Sequence, residues 1–329
     1  MRLVQLEHQQ ERRVAQVLDN DRLQLLSGLQ TVFDLAREAY RYRRKLVDVV
    51  TGYLSRDILD YGAVIEAGEL ILPLDHPDPA HCHVTGTGLT HLGSAEARDA
   101  MHAAKVTNMT DSMRLFQMGL AEGKPAGPDN ICVQPEWFYK GNGFNLAPPG
   151  GQLAWPAYGL DGGEEAEIVG LYMIADRGTV LRVGFALGNE YSDHVMEAQN
   201  YLYLAHSKLR TCSFGPELLV GELPADIRGE VSVERAGATI WQAPFLTGEA
   251  NMSYHIAGLE HHHFKYELFR QPGDVHVHFF GTATISRNAG ITTQPGDRFV
   301  IAAPGFGRPL INEIGAPAGP EQKVTVHPL

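Results

Sequence analysis

At 329 residues, 44% of them hydrophobic, the chain can bury a substantial core as one large domain or two, and no apolar run approaches the roughly 18 residues of a membrane span. Its net charge is −12, with a single short basic run at 41–45, which argues against nucleic-acid binding. Three scattered cysteines, Cys82, Cys132 and Cys212, form neither a disulfide framework nor a zinc-ligand spacing, and the charged N-terminus lacks the apolar block of an export signal, so a cytoplasmic protein is expected.

Abundant glycine and proline, 35 and 19 residues, predict many short strands joined by turns. Residues 2–7, 12–18 and 22–26 read as strands, with a turn at 19–21 between the last two. From 31 to 54, apolar residues recur at helical spacing (Val32, Leu35, Ala39 and Tyr40, then Leu46, Val49 and Val50), which predicts one helix. Residues 69–84 return to extended structure broken by prolines. A polar helix is expected over about 94–122, followed by a linker at 123–130. Beyond 131 the pattern is strand and turn, with one helix expected near 191–208. The tetrapeptide Gln-Pro-Gly-Asp, at 271–274 and again at 294–297, marks two strand entries and is too short to signal a repeat. The expected fold class is α+β and β-rich: a small N-terminal α/β module over 1–80 and a large mixed β-sheet roll or barrel domain over 81–329.

The chemistry begins at residues 162–174, where three acids precede an apolar run. In a strand, Glu165 and Glu167 lie on one face, their Cβ atoms roughly 6–7 Å apart. The pair reads either as a solvated edge or as two ligands of an oxygen-preferring cation such as Mg²⁺, Ca²⁺ or Mn²⁺. A third ligand is needed, and Glu190 stands where an apolar strand gives way to the expected helix. It also suits the first-turn acid of a helix. Lys208, near the end of that helix, is either a solvated lysine or a site cation. Glu164, on the opposite face, is read as solvated.

The histidines offer a rival. His276 and His278 share one face of a strand, as pairs in barrel-shaped zinc or iron oxygenases do. Val275, Val277 and Phe279 line the other face, and no glutamate or third histidine falls at a matching offset. The run His261–His263 reads as a surface or hydrogen-bonded cluster.

Over about residues 80–312 these motifs together resemble the fumarylacetoacetate hydrolase family. The Glu-x-Glu strand is Glu165-Ala166-Glu167, followed by Asn189-Glu190-Tyr191-Ser192-Asp193-His194 in place of an Asn-Asp-x-Ser-x-Arg stretch. Lys208 precedes Gly215-Pro216; Pro272-Gly273-Asp274 leads to Gly281-Thr282; Pro295-Gly296-Asp297 and a strand with Gly305-Phe306-Gly307 close the series. Two positions depart from the pattern, Glu190 for aspartate and His194 for arginine. The longer match looks like the bacterial sugar-acid branch, which includes 2-keto-3-deoxypentonate dehydratases of non-phosphorylating pentose catabolism.

The resemblance implies a large roll or barrel domain of that family's type and a homodimer or dimer of dimers. It implies Mg²⁺, with Mn²⁺ as the alternative, on Glu165, Glu167 and Glu190, and Lys208 as the catalytic cation. Glu96 with His91 or His102 would move protons on a lid. Thr282, Gly281, Lys140, Tyr201 and His194 would contact a small 2-keto acid. The activity implied is dehydration of a 2-keto-3-deoxy pentonate to 2-oxoglutarate semialdehyde. The alternatives are C–C hydrolysis of a 2,4-diketo acid and oxaloacetate-type decarboxylation, with a histidine-based oxygenase or a non-catalytic sugar-acid binder outside the family.

Overall fold

The computed structural model describes residues 1–19, 21–92, 110–127 and 130–329. The first three strands form as expected: β1 (Arg2–His8), β2 (Glu11–Val17) and β3 (Arg22–Leu26). The helix expected over 31–54 is two helices, α1 (Val32–Arg41) and α2 (Leu46–Tyr53). Thr31 caps α1 by accepting from the Asp34 amide, and Val32, Phe33, Leu35, Ala36 and Ala39 make its buried stripe. The break falls at 42–45, where the apolar spacing lapses and Arg43 takes a left-handed φ of 52°. Next come β4 (Leu54–Asp60), α3 (Tyr61–Glu66), β5 (Leu70–Ile71) and β6 (Cys82–Gly88). Of the helix expected over 94–122, the described part is α4 (Asp111–Glu122).

The second half opens with β7 (Glu136–Asn142), β8 (Leu146–Ala147), β9 (Gln152–Trp155), β10 (Ala166–Ala175) and β11 (Thr179–Asn189). The helix expected near 191–208 is divided into α5 (His194–Gln199) and α6 (Leu204–Lys208). Between them Asn200 is extended and its side chain accepts from the Leu202 amide at 3.0 Å, a local turn that competes with the helix. After β12 (Cys212–Phe214) and β13 (Leu218–Leu219) the chain forms β14 (Ile227–Arg235) and β15 (Ala238–Thr247). Helix α7 (Ile256–Phe264), which carries the His261–His263 run, precedes β16 (Val275–Phe279), β17 (Arg298–Ala302) and β18 (Leu310–Pro317). The Gly305–Gly307 segment, expected as a strand, lies between β17 and β18. Both glycines have positive φ, which takes the backbone out of the β region.

A mixed sheet of thirteen strands runs β4-β3-β2-β1-β13-β11-β10-β16-β6-β7, with β5, β8 and β12 attached off this path. A second sheet of five runs β15-β14-β17-β18-β9. The architecture is therefore α+β and strand-rich. Strand β1 pairs with β13, so the N-terminal strands continue the large sheet. Strand β10 lies deep in that sheet between β11 and β16, and all ten of its residues are buried, which is why it reads as a continuous apolar run. Its two faces feed different cores. Val169, Leu171 and Met173 pack with α1 and α2, whereas Ile168 packs with Phe185, Leu187 and Phe280 against Val231 and Ile301 of the second sheet. No helix among the described residues is long and apolar enough to cross a membrane.

Candidate active site

The β10–β11 hairpin builds the site. Its register pairs Ala166 with Asn189 and Glu167 with Gly188, and the Glu190 amide donates to the Glu165 carbonyl at 3.0 Å. Residues 165 and 190, far apart in the chain, thus face each other across the hairpin mouth, with Glu167 two residues further along the same face. One carboxylate oxygen from each of Glu165, Glu167 and Glu190 lies within 4.8 Å of the others. Glu167 and Glu190 are buried, and Glu165 is nearly so.

Each acid is held differently. Glu165 Oε1 accepts from the Lys208 ammonium and bonds His194 Nε2 at 3.1 Å. Burial raises the pKa of Glu165, but Lys208 and His194 outweigh it and hold the group well below the usual carboxylate range. Glu190 Oε1 lies 3.3 Å from Lys140 Nζ and 3.4 Å from Lys208 Nζ. Burial and the Glu165 charge still raise Glu190. Glu167 Oε2 accepts the Gly281 amide at 2.6 Å, while its buried Oε1 has no hydrogen-bond partner. Burial and the charges of Glu190 and Glu165 push Glu167 well above its ordinary value.

These features fit a hard divalent cation. Three buried carboxylates converge, one has an orphaned oxygen, and two are driven to hold protons that a cation would displace. Gly281 is required for this geometry: its φ is 94°, and a Cβ there would meet Thr90 Oγ1 at 2.5 Å. Gly163 is needed equally, since a Cβ there would meet His194 Nδ1 at 2.3 Å.

Lys208 is almost wholly buried at the end of α6. Its Nζ reaches Ser192 Oγ at 3.3 Å and Glu197 Oε2 at 3.9 Å, and sits 5.1 Å from the centre of the Phe138 ring. Burial would lower its pKa, but Glu165, Glu190 and Glu197 raise it, so Lys208 is held as an ammonium.

Several expected roles change. Lys140, expected at the substrate, is fully buried with Nζ bonded to the Tyr191 and Lys208 carbonyls at 2.9 Å besides Glu190. Its three donors are used by the protein, which sets it behind the site. The Gly281 amide is committed to Glu167 and so is not a substrate donor. His194, where an arginine was the pattern, is buried against Glu165 and supports it. Burial lowers its pKa, but the Glu165 bond and charge more than offset this and raise it.

His91 sits between threonine hydroxyls, with Nδ1 3.0 Å from Thr90 Oγ1 and Nε2 2.9 Å from Thr247 Oγ1; burial holds its pKa at about 3. It is a fully buried histidine close to Gly281. Glu96 and His102 lie outside the described residues. Thr282 is half-buried just after Gly281, and its Oγ1 accepts the Thr284 amide at 3.2 Å. Tyr201 donates to Glu136 Oε1 at 3.2 Å. Glu164 is not solvated: it is fully buried and accepts from the Ser286 amide and hydroxyl at 2.6 and 2.7 Å. Glu197 was missed. It stands in the segment between Glu190 and Lys208, but the break at Asn200 shifts the helical phase, so spacing alone could not aim it at Lys208.

A second cluster surrounds β16. Parallel pairing of β6 and β16 sets His83 beside His276, with ring centres 4.9 Å apart. Asp274 lies 3.2 Å from His83 Nε2 and 2.8 Å from His81 Nδ1. His276 Nδ1 lies 2.9 Å from His263 Nε2, and His278 Nδ1 lies 2.8 Å from Thr85 Oγ1. The histidine grouping differs from the expected pair: one donor atom each from His83 of β6, Asp274 and His276 fall within 4.8 Å of one another, and His278 is not among them. Burial drives His263 and His276 well below the ordinary histidine value and holds His278 at about 3, so these rings are neutral near pH 7.

No protein-family model matches the chain. A probable 2-keto-3-deoxyxylonate dehydratase of Haloferax volcanii is 27% identical over 249 residues, covering 73% of this chain and 75% of that protein. Among solved structures, 2-keto-3-deoxy-D-arabinonate dehydratase in its apo form superposes with a TM-score of 0.70 at 18% identity, covering 98% of this chain and all of that one. The same dehydratase complexed with magnesium and 2,5-dioxopentanoate gives 0.69 at 18%, covering 96% and 99%. The fumarylacetoacetate hydrolase of the psychrophile Exiguobacterium antarcticum gives 0.56 at 15%, covering 96% and 99%. The chain has the fold these proteins share.

Proposed function

We propose that this chain is a hydro-lyase of the fumarylacetoacetate hydrolase family, in its sugar-acid branch, converting a 2-keto-3-deoxy pentonate to 2,5-dioxopentanoate in non-phosphorylating pentose catabolism. The observation that carries this reading is the convergence of Glu165, Glu167 and Glu190 beside the buried ammonium of Lys208. Support comes from the Haloferax relative and from the fold shared with a dehydratase complexed with magnesium and 2,5-dioxopentanoate. Mg²⁺ is the cation in this reading, with Mn²⁺ as a substitute. The division into an N-terminal α/β module (1–80) and a catalytic unit (81–329) belongs to the same proposal, since every candidate ligand and Lys208 falls in the second part. So do a cytoplasmic setting and a homodimer or dimer of dimers, which the family resemblance supports.

Glu165, Glu167 and Glu190 would hold the cation through oxygens that do not need to move far, because the hairpin register and the Gly281 amide already place them. A bound divalent ion supplies Lewis-acid stabilisation of the negative charge that develops on the 2-keto oxygen as a C3 proton leaves. Lys208, fixed as an ammonium, serves as a charge and hydrogen-bond donor beside that oxygen; a protonated amine is not the base that takes the C3 proton. His194 and Lys140 keep Glu165 and Glu190 in place. Thr282 stands beside the site as the contact for the substrate carboxylate. The C4 hydroxyl departs as water; a proton moved from C5 to C3 then leaves an enol at C4–C5, and transfer of the C5 hydroxyl proton to C4 completes the aldehyde at C5. Glu96, with His91 or His102, remains the proposed source of these proton transfers, His91 acting from its buried position as a neutral ring.

Incubating the protein and Mg²⁺ with 2-keto-3-deoxypentonates and, separately, with acylpyruvates tests the reading. Formation of 2,5-dioxopentanoate from the first set is the expected outcome. Pyruvate released from the second set, with the first untouched, would replace dehydration by C–C hydrolysis.

A further inference from the structure

We propose that His83, Asp274 and His276 form a second cation site, suited to a borderline divalent ion of the zinc class and separate from the carboxylate centre. The site is built by the sheet. Asp274 and His276, two residues apart, share a face, and the parallel register of β6 places His83 beside His276. One donor atom from each falls within 4.8 Å of the others, and the 3.2 Å between Asp274 and His83 Nε2 suits two ligands of one small ion.

A second, independent feature points to a ligand. His276 is fully buried, and its Nε2 meets no partner at full hydrogen-bond geometry, although the Phe269 backbone lies near enough to the ring to favour its protonated form. The buried Nδ1 of His83 is likewise unpartnered. Such orphans in a close-packed interior call for an ion or an ordered water. The candidate ligands also have supports of the kind that orient metal ligands: His81 Nδ1 on Asp274 Oδ1, and His263 Nε2 on His276 Nδ1. Two imidazoles and one carboxylate suit zinc, iron or cobalt, whereas the all-carboxylate centre suits magnesium or manganese. The five residues from His276 to Gly281 separate the two sites by on the order of 15 Å.

The donor inventory adds a reporter. Trp137 Nε1, which can only donate, reaches His263 Nδ1 at 3.3 Å. His263 therefore carries its proton on Nε2 and donates to His276 Nδ1, leaving the second proton on His276 Nε2. An ion on His276 Nε2 requires the other tautomers: the same two protons then sit on Nδ1 of His276 and Nδ1 of His263. The Trp137 bond then faces a donor and is lost, so indole fluorescence should change on binding.

The test uses the full chain, stripped by chelator and then saturated with Mg²⁺ to occupy the carboxylate centre. Zn²⁺ is titrated against a chromophoric chelator, with stoichiometry from elemental analysis. One zinc per chain with a fluorescence change is expected. Asp274→Asn and His276→Gln should weaken zinc binding by more than about 100-fold, beyond what loss of a supporting partner costs. Glu165→Gln should leave zinc binding unchanged. Because His276 is buried, His83→Gln, at a side chain 19% exposed, is the second variant, with thermal melts verifying folding. X-ray absorption at the zinc edge of the unaltered protein needs no variant and should show two imidazoles in a nitrogen and oxygen shell. No retained zinc under Mg²⁺ saturation, unchanged affinity in folded His83→Gln, or a shell without imidazole would each overturn the proposal. Since turnover plays no part in these readouts, and the His83→Gln affinity and the imidazole shell locate the zinc whether or not Mg²⁺ fills the carboxylate centre, failure of the proposed function would not be mistaken for failure here.

Discussion

The segment through β16 meets a cluster of ionisable side chains at each end. Past its C-terminal end the Gly281 amide supports Glu167, and before its N-terminal end Asp274 lies beside His83. Both surroundings are largely buried, but the sheet handles them differently. Around Glu167 the groups carry charge, and two buried lysines offset the acids incompletely, so Glu167 and Glu190 are pushed toward protonation. Around His276 the rings simply remain neutral. An acid cluster kept charged inside a protein needs compensation, and a hard cation supplies it. Neutral imidazoles need no counter-charge, so what remains at that end is a shortage of hydrogen bonds.

Expected effects on this contrast can be ranked. The largest is at the acids: Glu165→Gln or Glu190→Gln should lower Mg²⁺-dependent turnover by about 10³-fold or more, since several kcal/mol of charge stabilisation is lost. The same variants should lose the rise in melting temperature that Mg²⁺ gives the wild type. Lys208→Met comes next. It should cost roughly 10²–10³ in kcat, as loss of a preorganised donor does, while Mg²⁺ binding measured by calorimetry persists. Equal loss of both would make Lys208 a structural counter-ion only.

Gly281→Ala places a side chain at φ 94° and against Thr90, and should destabilise the fold by about 1–3 kcal/mol in denaturant titrations. pH gives a smaller effect with a definite sign. Glu167 is raised above its unfolded value, so the metal-free native state holds a proton that the unfolded chain releases. Without Mg²⁺, stability should therefore fall as pH rises from the ordinary glutamate range toward the raised value; bound Mg²⁺ should remove this dependence. Melting curves across pH 5–8, with chelator and with Mg²⁺, measure it. A Mg²⁺-induced rise in melting temperature that grows with pH is expected, and one independent of pH would argue against a protonated Glu167. Ser192→Ala, which removes one 3.3 Å partner of Lys208, should cost about 0.5–1.5 kcal/mol in kcat/KM.

Glu165 and Glu167 were legible because a strand's period of two is local, so they share a face in any register; Glu190, whose local pattern suited a helix's first turn, joined them through the family resemblance. The β-rich class followed from turn punctuation. What sequence could not show depended on long-range pairing or local competition. Arg43 and Asn200 each broke a helix that periodicity carried through. Glu164 looked solvated because nothing nearby announces Ser286, 122 residues away in the chain. His276 had Asp274 at a matching offset, but only the parallel register of β6 brought a second imidazole, His83, beside the pair. Lys140 and His194 were assigned to the substrate, but burial turns both toward the acids.

The most direct test of the central claim follows product from a 2-keto-3-deoxypentonate by ¹³C NMR while Mg²⁺ is added to chelator-stripped wild-type protein and to Glu165→Gln. 2,5-Dioxopentanoate should appear only with the cation, saturate at one activating ion per chain, and be absent from the variant. Full turnover in chelator, or an equally active Glu165→Gln, would contradict the account.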